Sequence, residues 1–526
     1  MKSLRYRAVI LGLATLALAS CGDKLDTMPD NRTELNTPEK IANLLVNAYP
    51  KTPNILVNET MSDNADYYGA ANPRGSRFMD QVYFWQDVTE VDNESPEIFW
   101  ENNYLAIANA NQAIESIKEL GGPSANSQLA ASYGEALLCR AYCHFLLVNE
   151  FCQNYNPQTS DKDLGIPYLS KVETFTEKHE RGNVAEVYAL IEQDLQEGLK
   201  YITDNYSVPK YHFNRKAAYA FAARFYLFYN QWEKVIEYAN LALGSNPSAV
   251  LRDYKTMGSM TQDFDALTLH YIGAELNCNL MLNTYISQDG AIYGPYLIYT
   301  RYEHGSYLGY NEDIAATNVW GSRNYYQQPL IRRGNNFDVC RFWKLPYGFE
   351  YTDPVSRIGY PHIVVPEFST DETLLCRAEA YALLKEYDKS INDVSMWIHN
   401  FYNTNNTISL ATIKQTMSRV GYCYDDANGL QSTIKKHLHP AFAIDAEGSD
   451  QESILQLILD CRRIETISQG LRWFDIKRYG IEIPRREMGA DGNPLRILDK
   501  LTVNDPRRAV QIPQQARDAG VEANPR

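Results

Sequence analysis

Apolar residues recur at three- and four-residue intervals through much of this 526-residue chain, the period of a helix that buries one face. In 99–118, Tyr104, Ile107, Ala110 or Asn111, and Ile114 fall on one stripe. Residues 128–151 carry a broader one, with Leu137, Leu138, Ala141, Phe145 and Val148, and 184–202 a third, with Val187, Leu190, Ile191, Leu195 and Leu199. The clearest lies in 214–247, where Phe221, Phe225, Phe228 and Trp232 follow at i, i+4, i+7 and i+11. Asn230-Gln231 predicts a turn, and a second helix runs from Glu233 to Leu243 before Gly244 and Pro247. Against the tetratricopeptide repeat of roughly 34 residues, Tyr219, Tyr226, Ala242 and Pro247 take the large-aromatic, Tyr, Ala and Pro places. Ala223 and Ala239 stand where Gly and Phe are usual, so the repeat is degenerate. A second copy is expected over 371–399, with Asp371 capping a helix through Leu374, Ala378, Tyr381 and Leu384 and a partner helix from Asp388. A further helix pair is expected over 451–479.

Segments 54–98, 252–366 and 400–450 read as loop-rich insertions. The region 252–366 is rich in Gly, Asn, Tyr and Pro and lacks a sustained helical period. Asn403-Thr404-Asn405-Asn406 and Asp425-Asp426-Ala427-Asn428-Gly429 are turn clusters. Long irregular segments on a rigid scaffold are where binding residues tend to sit. The pattern therefore predicts a binding protein.

The chain opens with Lys2, Arg5 and Arg7 ahead of an apolar run from Ala8 to Ser20. That is the length of a signal-peptide core and too short for a membrane span, which takes about 20 residues. Leu18-Ala19-Ser20-Cys21 resembles a bacterial lipobox, which makes 1–20 a cleaved signal peptide and Cys21 a lipidated N-terminus. Several acyl chains on one cysteine give stable anchoring where a single chain is marginal. Residues 21–40 read as a polar tether, and 41–526 as one folded unit.

Loss of the three positive charges in 1–20 takes the net charge from −15 to −18. Such a balance argues against nucleic acid, whose affinity comes from neutralising phosphates. It also argues against adhesion of the folded part to anionic lipid. Tyrosine outnumbers phenylalanine 38 to 18, supplying rings with a wet hydroxyl that suit polar interfaces and sugar faces. The eight cysteines after Cys21 form no CxxC, and several sit in helical stripes, so they are expected to be reduced and buried. The common catalytic and nucleotide-binding motifs are missing from the sequence. His437 and His439 could share a strand face, but Lys435-Lys436 beside them disfavours a cation. No metal or other cofactor is expected.

Six pieces, in order, carry a resemblance to a known family. They are Cys21-Gly-Asp-Lys-Leu-Asp-Thr-Met-Pro29, Leu138-Cys-Arg-Ala-Tyr142 and Gly165-Ile-Pro167. Phe368-Ser-Thr-Asp-Glu-Thr-Leu-Leu-Cys-Arg-Ala-Glu-Ala-Tyr381, Gly470-Leu-Arg-Trp-Phe-Asp-Ile-Lys-Arg478, and Ile512-Pro-Gln-Gln515 with Asn524-Pro525 complete the set. Over nearly its whole length the chain resembles the SusD/RagB family of outer-membrane lipoproteins. The resemblance implies an all-α, right-handed scaffold of tetratricopeptide-like units with a large irregular binding lobe. It also implies a surface protein that captures oligosaccharide for a SusC-like TonB-dependent transporter. Some members look like peptide-uptake components, so peptide capture is the alternative ligand class. A secreted glycoside hydrolase is a third reading, motivated only by abundant carboxylates.

Sugar capture needs flat aromatic faces and planar polar side chains. Two segments combine them: Asp63–Gly69, and Asn318–Tyr326 with the run 290–299 upstream. From these, Trp320, Tyr67, Tyr68, Tyr293, Tyr296 and Asn324 are the candidate ligand contacts. Trp320 leads, because it lies in a polar loop with Gly321 after it. Trp100, Trp232, Trp397 and Trp473 fall in helical patterns and read as core. Arg377 with Glu379, and Arg472 with Asp475, Lys477 and Arg478, read as charge networks that tie helices together.

Overall fold

The computed structural model describes residues 34–69, 72, 75–173, 179–296, 300–333 and 338–526. Cys21, the expected signal peptide and most of the expected tether lie outside the described residues. Among the described residues the first helix is Pro38–Leu45, capped by Thr37, whose start lies inside the stretch expected to be tether; its Ile41 and Leu45 are fully buried.

Six of the scaffold helices start where the sequence offers a side-chain acceptor to otherwise unpaired N–H groups. Ser95 caps Pro96–Glu119, Asn126 caps Ser127–Phe151 and Asn214 caps Arg215–Phe228, while Asn183 and Glu186 form a capping box on Val184–Gly198. Ser369 and Ser449 cap Thr370–Leu383 and Asp450–Thr466. The expected cap Asp371 is instead inside its helix. Its buried carboxylate accepts the Arg252 amide at 3.1 Å, and burial pushes its pKa up to about 7.

The helices pack largely in chain order: Pro96–Glu119 on Ser127–Phe151, the latter on Val184–Gly198, and Arg215–Phe228 on Trp232–Leu243. Thr370–Leu383 packs on Tyr387–Phe401, and also on Trp232–Leu243 and Asp450–Thr466, which joins the repeats across the insertion. The Phe221, Phe225 and Phe228 stripe surrounds Phe145 edge-on, with ring centroids 5.7, 6.2 and 5.2 Å away. One apolar core runs from Ile41 to Ile512. Trp100, Trp397 and Trp473 are in it, and Trp232 packs half-buried against it. The eight described cysteines are free and buried.

The helical scaffold is as expected, but the all-α expectation is corrected by three small sheets among the described residues. The first orders Tyr302–Glu303, Asp66–Tyr67, Ile483–Met488 and Pro494–Leu501. Another orders Asn279–Ile286, Ile358–Ser369 and Gly348–Asp353, and Leu330–Arg332 pairs with Val339–Arg341. Apart from the Ile483–Met488 and Pro494–Leu501 pair, the strands fall in segments expected to be irregular, Ile358–Ser369 running three residues past the end of one. Several strands are only two or three residues long, too short to show a two-residue period. Ile358–Ser369 is long, but it emerges exposed and ends buried, which blurs its alternation.

The charge-rich motifs do tie helices together, the Asp475–Arg478 pair as expected and the others through partners distant in sequence. Arg377 pairs with Asp393 at 2.7 Å, and Glu379 with Arg478 at 2.6 Å. Asp475 takes Arg462 at 2.9 Å and Arg478 at 3.0 Å. Lys477 donates to the carbonyls of Asn149 and Cys152, both at 2.6 Å, and so places a cation at the C-terminus of Ser127–Phe151.

Candidate functional site

Strand Asp66–Tyr67 lies between Tyr302–Glu303 and Ile483–Met488. Successive side chains of extended backbone point to opposite faces, so Tyr67 and Tyr68 part company. Tyr67 stacks on Tyr302 at 5.5 Å, and Tyr302 on Tyr83 at 4.3 Å. Tyr68 instead lines a cleft of about 580 Å³. Its hydroxyl is buried, has no hydrogen-bond partner among the described residues, and lies against Gly305, where a β-carbon would overlap it.

Helix Ser306–Asn311 forms a second wall, with Tyr307 and Tyr310 one turn apart and Asn311 beside them. Asp338 accepts the Ser306 amide at 2.8 Å. The third wall is the loop Gly489–Asn493 between strands Ile483–Met488 and Pro494–Leu501. Asp491 folds this loop by accepting the Asn493 amide at 3.1 Å and its Nδ2 at 3.0 Å. Gly492 has φ +77°, and a β-carbon there would come within 3.1 Å of Asp338 Oδ2, so glycine lets the wall close on the cleft. At the rim, the guanidinium carbons of Arg323 and Arg333 lie 4.3 and 4.5 Å from the Tyr310 ring centroid.

A buried ion network fixes these walls to one another. Glu312, the residue after the second wall, accepts Lys436 at 2.7 Å, Arg463 at 2.9 Å, Arg486 at 3.0 Å and the Ser432 hydroxyl at 2.6 Å. Burial alone would raise its pKa, but Lys436, Arg486 and Arg463 hold it well below the usual carboxylate range. Arg486, on the strand leading to the third wall, also pairs with Asp66 at 2.8 Å. Arg472 pairs with Asp63 at 2.8 Å. The segment carrying Tyr68, the helix carrying Tyr307 and Tyr310, and the strand before Gly489 thus share one set of charges.

Of the expected contacts, the structure brings only Tyr68 to this cleft. Tyr67 is half-buried on the opposite face. Trp320 is completely buried, stacked on Tyr402 at 4.3 Å with its indole N–H donated to the Ala316 carbonyl at 3.3 Å. The expectation of a Trp face open to ligand is therefore corrected: this ring packs the core. Tyr293 is buried too, its hydroxyl 2.7 Å from that of Thr60. Tyr296 belongs to a separate patch, bonded to Asp265 at 2.5 Å and next to Tyr347. Asn324 is exposed and donates to the Trp320 carbonyl at 3.4 Å, closing the turn beside Arg323. His437 is held between Glu447 at 2.6 Å and Asp425 at 2.9 Å and stacks on Tyr422 at 4.2 Å.

Tyr307, Tyr310, Asn311, Arg333, Asp338 and the 489–493 loop went unrecognised in the sequence. The i, i+3 spacing of the two tyrosines and the Gly-Ala-Asp-Gly-Asn run were available signals. What was missing was any local sign that these segments, about 180 residues apart, meet.

The residues thus build a polar, tyrosine-lined cleft on a helical-repeat scaffold, of the size of a small-ligand site. A SusD-like family, described as "Starch-binding associating with outer membrane", matches residues 23–227. The SusD-like protein P2 of Formosa agariphila is 22% identical over 418 residues, 74% of this chain and 72% of that protein. A SusD superfamily protein of Bacteroides thetaiotaomicron superposes with a TM-score of 0.59 at 17% identity, covering 93% of this chain and 100% of that one. A SusD-like carbohydrate binding protein of Bacteroides vulgatus does so with 0.57 at 15% identity, covering 92% and 95%. The family model thus matches the N-terminal part of the chain, and the solved SusD superfamily structures share its fold. Among the described residues no helix is long and apolar enough to cross a membrane.

Proposed function

We propose that this protein captures oligosaccharide in the cleft between Tyr68, Tyr307 and the 489–493 loop and hands it to a SusC-like TonB-dependent transporter. In this reading the protein is held at the outer-membrane surface by lipid on Cys21. The observation that carries it is the cleft itself. Its volume, about 580 Å³, suits several pyranose rings, and its walls mix tyrosine rings with Asn311, Asn493 and Asp338. The match to a starch-binding family and the fold shared with a carbohydrate binding protein support the same ligand class.

The lining favours binding over hydrolysis. A glycosidase needs a carboxylic acid with a raised pKa beside the bond it cleaves. Asp491 is instead held below the usual range by hydrogen bonds from Asn493. Carboxyls that burial pushes up to about 7, on Glu94, Glu150, Asp371 and Asp460, line no part of the cleft.

Affinity electrophoresis against a set of polysaccharides tests the site. Tyr307→Ala and Asn493→Ala are expected to weaken retention by roughly tenfold each, the scale of losing one good ring or hydrogen-bond contact, with unchanged melting temperature. Retention unaffected by both would place the ligand elsewhere. If no polysaccharide retained the wild type while peptides bound it, the ligand class would be peptide.

The anchor has its own test. Cys21→Ala is expected to move the protein from the membrane fraction to the soluble one. A variant still firmly membrane-bound would show that another element holds it.

A further inference from the structure

We infer that the ligand of this cleft is an anionic glycan, one carrying uronate carboxylates or sulfate esters; the inference rests on the cleft being the glycan site. Its basis is the pair of guanidinium groups on Tyr310. Arg323 lies 4.3 Å and Arg333 4.5 Å from one ring centroid, so the two cations are no farther apart than the sum of those distances. Both side chains are exposed, and among the described residues neither has a carboxylate within ion-pair reach. The buried arginines behind the cleft differ, since Arg463, Arg472 and Arg486 each have one.

Two like charges held on one ring repel, and an anion bound to both offsets that repulsion. A guanidinium also matches a carboxylate or sulfate geometrically, donating two parallel hydrogen bonds. Tyr310 is then a seat that orients the pair by cation–π contact rather than a bare platform for a sugar. Arg323 is held there with φ +57°, in the left-handed region that residues other than glycine seldom occupy. The arrangement also opposes the charge of the whole chain, which is −15. The carboxylates of the cleft are engaged with its own walls, Asp338 with the Ser306 amide and Asp491 with Asn493. The geometry therefore sets the ligand's acid groups at the Tyr310 rim and its neutral ring faces deeper, against Tyr307 and Asn493.

The test is affinity electrophoresis of the full chain in gels containing polygalacturonate, chondroitin sulfate, amylopectin, laminarin or galactomannan. The expected result is retention by at least one of the two anionic polymers and by none of the neutral three. Polygalacturonate alone would identify carboxylate recognition, and chondroitin sulfate alone would bring in the sulfate. Retention should fall roughly tenfold or more in the double variant R323Q/R333Q and in high salt, and R323K/R333K should restore part of it. Because both arginines are exposed, the melting temperature of the double variant should match the wild type. Retention by a neutral polymer that survives R323Q/R333Q but is lost in Asn493→Ala would overturn the anionic ligand and leave the cleft as the glycan site. Anionic retention that the double variant leaves intact would overturn it as well. A wild type retained by none of the five would count against the glycan site and this inference together.

Discussion

Trp320→Ala is expected to cost about 3–5 kcal/mol of stability, the range for truncating a large buried aromatic, and to lower the melting temperature accordingly. The ring is fully buried and nearly parallel to Tyr402, at 4.3 Å and 8°. Tyr402 in turn contacts Trp397 at 6.3 Å and Phe401 at 4.9 Å, so the cavity would open in the packing between the insertion and helix Tyr387–Phe401. The Ala316 carbonyl would also lose its indole donor. Trp320→Phe keeps a ring and should recover much of the loss. Calorimetry and ligand titration on the same variants check the assignment. Unchanged melting with lost affinity would return Trp320 to the ligand site.

This tryptophan marks where the sequence stops being legible. Its neighbours Ser322, Arg323 and Asn324 are exposed, so local composition describes a polar loop. The residues that bury it come from about 80 positions downstream. The repeat helices were legible because their information is local: a stripe such as Phe221, Phe225 and Phe228 and a cap such as Asn214 lie within one element. The two- and three-residue strands had no period to show, and their pairing is non-local. Tyr68 could be singled out because aromatic, acidic and amide residues sit together in 63–69. Tyr307 and Tyr310 could not be joined to Asn493 without the fold. The charged motifs around Arg377 and Arg472 were legible as networks, while their partners Asp393 and Asp63 were set by tertiary packing.

Glu312→Ala is expected to destabilise the protein by about 3–5 kcal/mol, the cost of removing one partner from a buried ion pair and leaving the others uncompensated. Here the uncompensated groups are Lys436, Arg463 and Arg486, all buried, with Asp63, Asp66 and Asp313 as the remaining carboxylates near them among the described residues. Glu312→Gln keeps the shape and removes only the charge, so a similar loss in that variant would assign the effect to electrostatics. The pH dependence separates the two further. Glu312 has a folded pKa below its unfolded one, so the folded state binds the proton less readily. Its stabilising contribution is therefore present above about pH 4 to 5 and is lost as the pH falls toward the depressed value. In Glu312→Gln that part of the acid limb disappears, and the gap in stability between variant and wild type should narrow on acidification. The same network holds the three cleft walls, so ligand affinity of the folded variant should fall although Glu312 does not line the cleft. A Glu312→Gln protein with wild-type melting temperature, acid midpoint and affinity would show that the walls are held by the apolar core alone.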